Sequence, residues 1–230
     1  MTITNYDERI LKSNHPIPGA PNNWRRFFGF NTDAKVIGIQ YIVTALVFLL
    51  LGGLLGMLIR GELITPPSDL FDPTVYNGLY TMHGTVMLFL FLFPILSGLT
   101  NLLVPPMIGA PDMAFPKLNA LAFWLVPVFS IVLLTSFFVP GGPTGAGWTL
   151  YPPQAILPGT PGSEMGIVLM LVSLSLFVIG FTMGGLNYVI TILQARTRGM
   201  TLMRMPLTIW GIFTATVLAL LAFTAHFVAC

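Results

Sequence analysis

Five runs without Asp, Glu, Lys or Arg, at about Val36 to Ile59, Leu79 to Val104, Leu118 to Val139, Met165 to Leu193 and Met205 to Cys230, decide what this chain can fold into. Each exceeds the ~18 residues that mark a transmembrane segment, and as a helix each is long enough to cross a hydrocarbon core of about 30 Å. With no water to satisfy backbone groups, helices are the form such runs take. The expected fold is all-α, a polytopic transmembrane bundle of five helices over residues 36–230, behind a polar tail of residues 1–35. A composition 55% apolar and 8% charged fits no other broad class. The tail has no short hydrophobic stretch with a small-residue cleavage site, so no removable signal peptide is expected. Trp24, Phe27, Phe28 and Phe30 beside Arg25 and Arg26 suit an anchor at the lipid headgroups.

Orientation follows from the basic residues. With the N-terminus cytoplasmic, the tail, Lys117, Arg196, Arg198 and Arg204 all lie inside, and of the ten basic residues only Arg60 lies outside. The reverse arrangement inverts this bias, so an N-terminus on the cytoplasmic side is expected.

His83 stands inside the second run, in Tyr76-Asn77-Gly78-Leu79-Tyr80-Thr81-Met82-His83-Gly84-Thr85. A charged group at membrane depth costs roughly 2.5 kcal/mol or more unless something engages it, so such a residue marks a functional site by default. Neutral imidazole is the commonest protein ligand for iron and other borderline metals. Gly84 beside it and Gly78 before it remove bulk, which would let a flat cofactor approach the backbone. A histidine bonded to a neighbouring helix is the alternative on residue type alone.

Between the second and third runs, Asp112 is a lone acid, with Asn101 before it and Asn119 after it. A carboxylate and amides can order a file of water molecules, because each amide both donates and accepts. That outlines a proton entrance. The same acid, just before an apolar run, also suits the N-cap of the third helix. Near the end of the first helix, the guanidinium of Arg60 suits a cofactor carboxylate or an interfacial position. Glu62 suits an ion pair with Arg60, a hard cation or plain solvation. The third loop, Pro140 to Pro153, is rich in turn formers and is expected to lie over the outer mouth of the bundle, where Trp148 and Tyr151 are either interface aromatics or a lid on a cofactor. Gly52-Xaa-Xaa-Xaa-Gly56 and Gly180-Xaa-Xaa-Xaa-Gly184 are spacings for close helix packing. Cys230 has no partner for a disulfide, and there is no phosphate-cradling loop, paired metal-binding cysteines or basic stripe for nucleic acid.

Taken together, these strings resemble the haem-copper oxidase family, in its catalytic subunit I. The matching pieces are Leu58-Ile59-Arg60 to Glu62, Tyr76-Asn77 with Thr81-Met82-His83-Gly84, Gly109-Ala110-Pro111-Asp112-Met113-Ala114-Phe115-Pro116, Asn119 to Phe123-Trp124, and Gly147-Trp148-Thr149 with Tyr151-Pro152-Pro153. The resemblance covers nearly the whole chain from about Asp33. It implies about five helices of a twelve-helix fold, and an enzyme that reduces oxygen to water with electrons from cytochrome c while translocating protons. It implies His83 as an axial ligand of the low-spin haem iron, Arg60 at that haem's edge, Trp148 and Tyr151 at the cofactor, and Glu62 in an outer cation site. Asp112 becomes the entrance of a proton path, with Asn101 and Asn119 its first amides. Subunit II with the electron-accepting site, subunit III and cytochrome c are the implied partners, in a bacterial-type inner or other energy-transducing membrane.

Two departures qualify the resemblance. The family's second axial histidine, high-spin haem ligand, copper histidines, cross-linked tyrosine and inner glutamate have no counterpart before Cys230, so the high-spin haem and copper are expected only in a complete subunit and the chain alone is expected to be inactive. His226, where the family places no ligand, is expected to be incidental. Gly180-Phe181 stands where many members carry a serine pair, and Phe181 would block or reroute water. The alternatives are a truncated, non-catalytic membrane protein binding haem or partner subunits, a quinol oxidase of the same family, and a proton-conducting transporter, which gives no reason for His83 with the tryptophan loop.

Overall fold

The computed structural model describes residues 24–64, 70–155, 157, 159–160 and 162–229, with the backbone alone for Arg25 and residues 224–229. The tail of residues 1–23, Cys230 and the His226 side chain, all named above, lie outside the described residues. Among the described residues there are five long helices and no strand: α1 Ala34–Glu62, α2 Pro73–Ile108, α3 Pro116–Phe138, α4 Met165–Gln194 and α5 Leu207–Ala229. The first four are long and apolar enough to cross a membrane, and α5 is apolar as well. Large apolar side chains such as Leu50, 76% exposed, and Met57, 73% exposed, point outward from α1, as lipid-facing positions do. The chain is an integral membrane protein with an all-helical bundle.

Helix ends follow local chemistry rather than hydropathy. α2 begins well before its apolar run because Asp72 caps it, accepting from the Thr74 amide at 2.9 Å and hydroxyl at 2.7 Å, with Pro73 in the first turn. It ends at Gly109, whose φ of 73° lets the Ala110 N–H turn back to the Pro105 carbonyl at 2.8 Å. Midway, Val86–Leu92 widens into a π-helical segment in which the Phe93 N–H reaches the Leu88 carbonyl. Pro94 is the physical reason: it has no N–H to give and crowds the preceding turn, so the helix relaxes ahead of it.

Small residues set the packing. α1 and α2 cross where Gly38 and Gly98 face each other, so closely that a β-carbon on Gly98 would stand 2.9 Å from the Gly38 carbonyl oxygen. On α4, Gly180 packs on Leu125 and Ala122 of α3, while Gly185 faces Thr216 and Leu220 of α5. Between them Tyr41, Met82, Val86, Phe123, Phe129 and Phe177 form the main apolar core. The α3–α4 loop folds back over α2, its Gly147 N–H bonding the Thr81 hydroxyl at 3.0 Å. Ahead of α1, the buried Gln40 side-chain amide donates to the carbonyls of Phe27 and Gly29, holding the exposed aromatic turn at Trp24–Phe27 against the bundle.

Candidate functional site

Two polar sites stand out of the apolar bundle, at opposite ends of α1. At the first, the ring of His83 lies against the backbone of α1, with Nδ1 2.8 Å from the Gly52 carbonyl oxygen. A carbonyl only accepts, so Nδ1 is the donor in this contact, and Nε2 is the ring nitrogen it leaves free, the arrangement in which an imidazole binds a metal. The seat is made by glycine. A β-carbon at Gly56 would come within 3.0 Å of the imidazole Cε1, and one at Gly52 would strike Met87. The Gly52–Gly56 spacing therefore has a particular occupant, beyond general helix packing.

Trp148 is brought to the same place. Its indole lies on Gly84, where a β-carbon would stand 3.2 Å from the ring, and meets Phe89 at 6.3 Å between centroids. This corrects the expected role of Gly84 and Gly78 as open backbone for a flat cofactor: Trp148 fills the first space and Pro143 the second. Arg60 is exposed and lies on the α1 face of Gly52 and Gly56, one turn further along. Tyr151, 76% exposed, is not drawn into the cluster. Glu62 is only 7% exposed and accepts from the Phe71 N–H at 3.0 Å, so it is neither solvated nor ion-paired with Arg60; it ties the chain leaving α1 back onto the helix end. Among the described residues, no three His, Cys, Asp or Glu side chains gather to hold a metal ion.

At the other end, Asp112 accepts from two backbone amides, Met113 at 2.7 Å and Ala34 at 3.1 Å. It therefore does not cap α3, whose N-cap position is Phe115 without a side-chain bond; it sits instead at the positive start of α1. Burial pushes its carboxyl above the ordinary range, against the opposing pull of those two amides. Beyond it, Asn119 donates through Nδ2 to Asn101 Oδ1. Asn101 donates in turn to the Ser97 carbonyl at 2.9 Å and the Tyr188 hydroxyl at 2.8 Å. All three side chains are buried, and Asn119 Oδ1 has no hydrogen-bond partner among the described residues.

Three α4 residues in this site have no place in the reading from sequence. Asn187 bonds the backbone of Phe115 through both ends of its amide, Thr191 accepts from the Ala114 N–H, and Tyr188 meets Asn101. Their signal was present: an amide and two hydroxyls on neighbouring turns of an otherwise apolar run. Phe181 packs among Phe93, Phe177 and Phe223, with centroids 5.1, 5.5 and 5.1 Å away.

Residues 36–230 match the family described as cytochrome c and quinol oxidase polypeptide I. The chain is 59% identical over 210 residues to the alternative cytochrome c oxidase subunit 1 of Bradyrhizobium diazoefficiens, covering 90% of this chain and 36% of that relative. It is 44% identical over 214 residues to cytochrome c oxidase subunit 1 of a Synechocystis species, covering 92% and 37%, and 43% identical over 211 residues to that of Thermostichus vulcanus, covering 90% and 37%. The chain spans about a third of the length of these curated relatives.

Proposed function

Because the chain belongs to the cytochrome c and quinol oxidase polypeptide I family, an oxidoreductase family, we propose that it works within the oxygen-reducing subunit of a respiratory terminal oxidase, taking electrons from cytochrome c and translocating protons. The observation that carries the reading is the His83 imidazole, its Nδ1 occupied by the Gly52 carbonyl and its Nε2 left for iron. The glycine seat and the half-buried ring fit a low-spin haem with His83 as one axial ligand. Such a haem, when bound, passes electrons one at a time. Arg60 lies on the same α1 face and suits the anionic edge of that cofactor, Trp148 borders the site from the loop, and Tyr151 and Glu62 are assigned outer roles, Glu62 toward a cation.

Asp112, Asn119 and Asn101 form the proton entrance in this reading. Support comes from the direct bond between the two amides and from the buried Asn119 Oδ1, an acceptor suited to a water molecule. The N-terminus is assigned to the cytoplasmic side of a bacterial-type inner or similar energy-transducing membrane. The high-spin haem, the copper, subunits II and III and cytochrome c belong to the assembled oxidase. Residues 1–230 by themselves are assigned no oxygen reduction.

In the assembled complex, His83→Ala is expected to abolish the low-spin haem spectrum, because no other ligand replaces the lost nitrogen. An unchanged low-spin spectrum overturns the assignment. Asp112→Asn is expected to slow turnover and lower pumping with the haems still bound; wild-type pumping in that variant refutes the entrance.

A further inference from the structure

We propose that the Tyr188 hydroxyl is a proton-relay group, passing protons from the Asn101–Asn119 pair into an internal chamber of the bundle. The inference rests on the reading of Asp112 as a proton entrance and extends it inward. Beyond Asn101 the structure has a partly open cavity of about 20 Å³, which is room for one water molecule. Tyr41, Ser97 and Tyr188 supply its hydroxyl-bearing walls. The other α4 residues lining it, Phe177, Gly180, Phe181 and Gly184, carry no hydroxyl. Tyr188 is thus the α4 side chain that joins the amide pair to this space.

Its geometry suits a relay. The phenol oxygen accepts from Asn101 Nδ2 at 2.8 Å, a firm contact, while its own proton goes to the Ser97 carbonyl at 3.3 Å, a long one. A hydroxyl held firmly as acceptor and loosely as donor can swing its proton toward the chamber. In the transfer, an O–H bond forms as a proton arrives from a water on the Asn101 side, and the original O–H bond breaks as that proton passes to a water in the chamber. The oxygen is neutral before and after, and rotation about the C–O bond resets it. Asn101 and Asn119 orient the file without titrating. The phenylalanines at 93, 177 and 181 form much of the remaining wall, so among the α4 residues lining the chamber no other hydroxyl stands in for Tyr188.

The test uses the assembled oxidase containing this chain, with Y188F, D112N and the double variant F181S/Y188F compared for turnover, pumping, haem spectra and solvent deuterium isotope effect. Y188F is expected to keep its haem spectra, to lose about tenfold in turnover, the effect of one missing hydrogen-bonded step, and to show a larger isotope effect. F181S/Y188F, which returns a hydroxyl to the chamber wall, is expected to recover most of the rate. Slow D112N with wild-type Y188F overturns the relay and leaves the entrance standing. Wild-type behaviour of D112N overturns the entrance itself. A rate loss in Y188F with no change in isotope effect assigns the hydroxyl a structural role and also overturns the relay. Should Y188F fail to assemble, the double variant decides: assembly with near-parental turnover supports the relay, and assembly at a rate tenfold down overturns it.

Discussion

One carbonyl oxygen determines which nitrogen His83 can offer, and one missing β-carbon determines where the ring sits. Gly56→Val is expected to displace the imidazole, at a cost of about 1–3 kcal/mol for overpacking, and to lower low-spin haem content in the assembled complex. Gly53→Ala is the matched control, since a β-carbon there meets nothing within 4 Å. Equal haem content in the two variants would show that the seat is unimportant. Asp112 carries a different prediction, through its proton. Its folded pKa is raised above an unfolded value of about 3.9, so folding disfavours the charged form. The cost is absent at low pH, grows as pH rises through the unfolded value and is complete above the folded one. Asp112→Asn has no proton to lose, so its thermal midpoint in detergent is expected to gain on the parent as pH rises through that window. A difference that stays flat or reverses sign counts against the raised pKa.

At the scale of helices, the five apolar runs were legible because a membrane leaves a backbone few choices, and Asn101, Asp112 and Asn119 were legible because polar groups are rare in such surroundings. What sequence reading missed depends on partners distant in the chain. The cap of α3 was open to Asp112 as an alternative on residue type, yet its two donors are Met113 beside it and Ala34, 78 positions away. Gly52 and Gly56 looked generic until the His83 ring was found between the helices, and the early start of α2 came from Asp72 rather than from hydropathy. The π-helical segment ahead of Pro94 leaves no periodic mark in a run that is apolar on every side. The α4 clamp on the Asp112 loop gives the test at this scale. Asn187→Leu leaves the Phe115 N–H and carbonyl without their side-chain partner, which is expected to cost about 1–3 kcal/mol. Faster amide exchange at Ala114 and Phe115, with a lower thermal midpoint, checks it; parental exchange rates there would exclude the clamp.

Across the whole bundle, the site at Ala34 and the site at Gly56 are separated along α1 by roughly 30 Å at the helical rise, close to the thickness of a hydrocarbon core. Asp112 and the imidazole therefore lie toward opposite ends of α1, which the proposed topology assigns to opposite membrane surfaces. With Cys230 replaced by serine, single cysteines at Lys117 and Leu63 are expected to react with a membrane-impermeant thiol reagent from opposite sides, Lys117→Cys from the cytoplasm; labelling of both from one side refutes the proposed topology. The amide network also has a timetable. Asn101 meets Asn119 18 positions later in the chain, but meets Tyr188 only 87 positions later. During synthesis, α2 and α3 reach the membrane with their amides paired chiefly to each other, and the remaining partners arrive with α4. Until α4 is made, the Tyr188 contact to Asn101 and the Asn187 and Thr191 clamp on the Asp112 loop have no partner, so the order of helix insertion becomes part of how this protein reaches its fold.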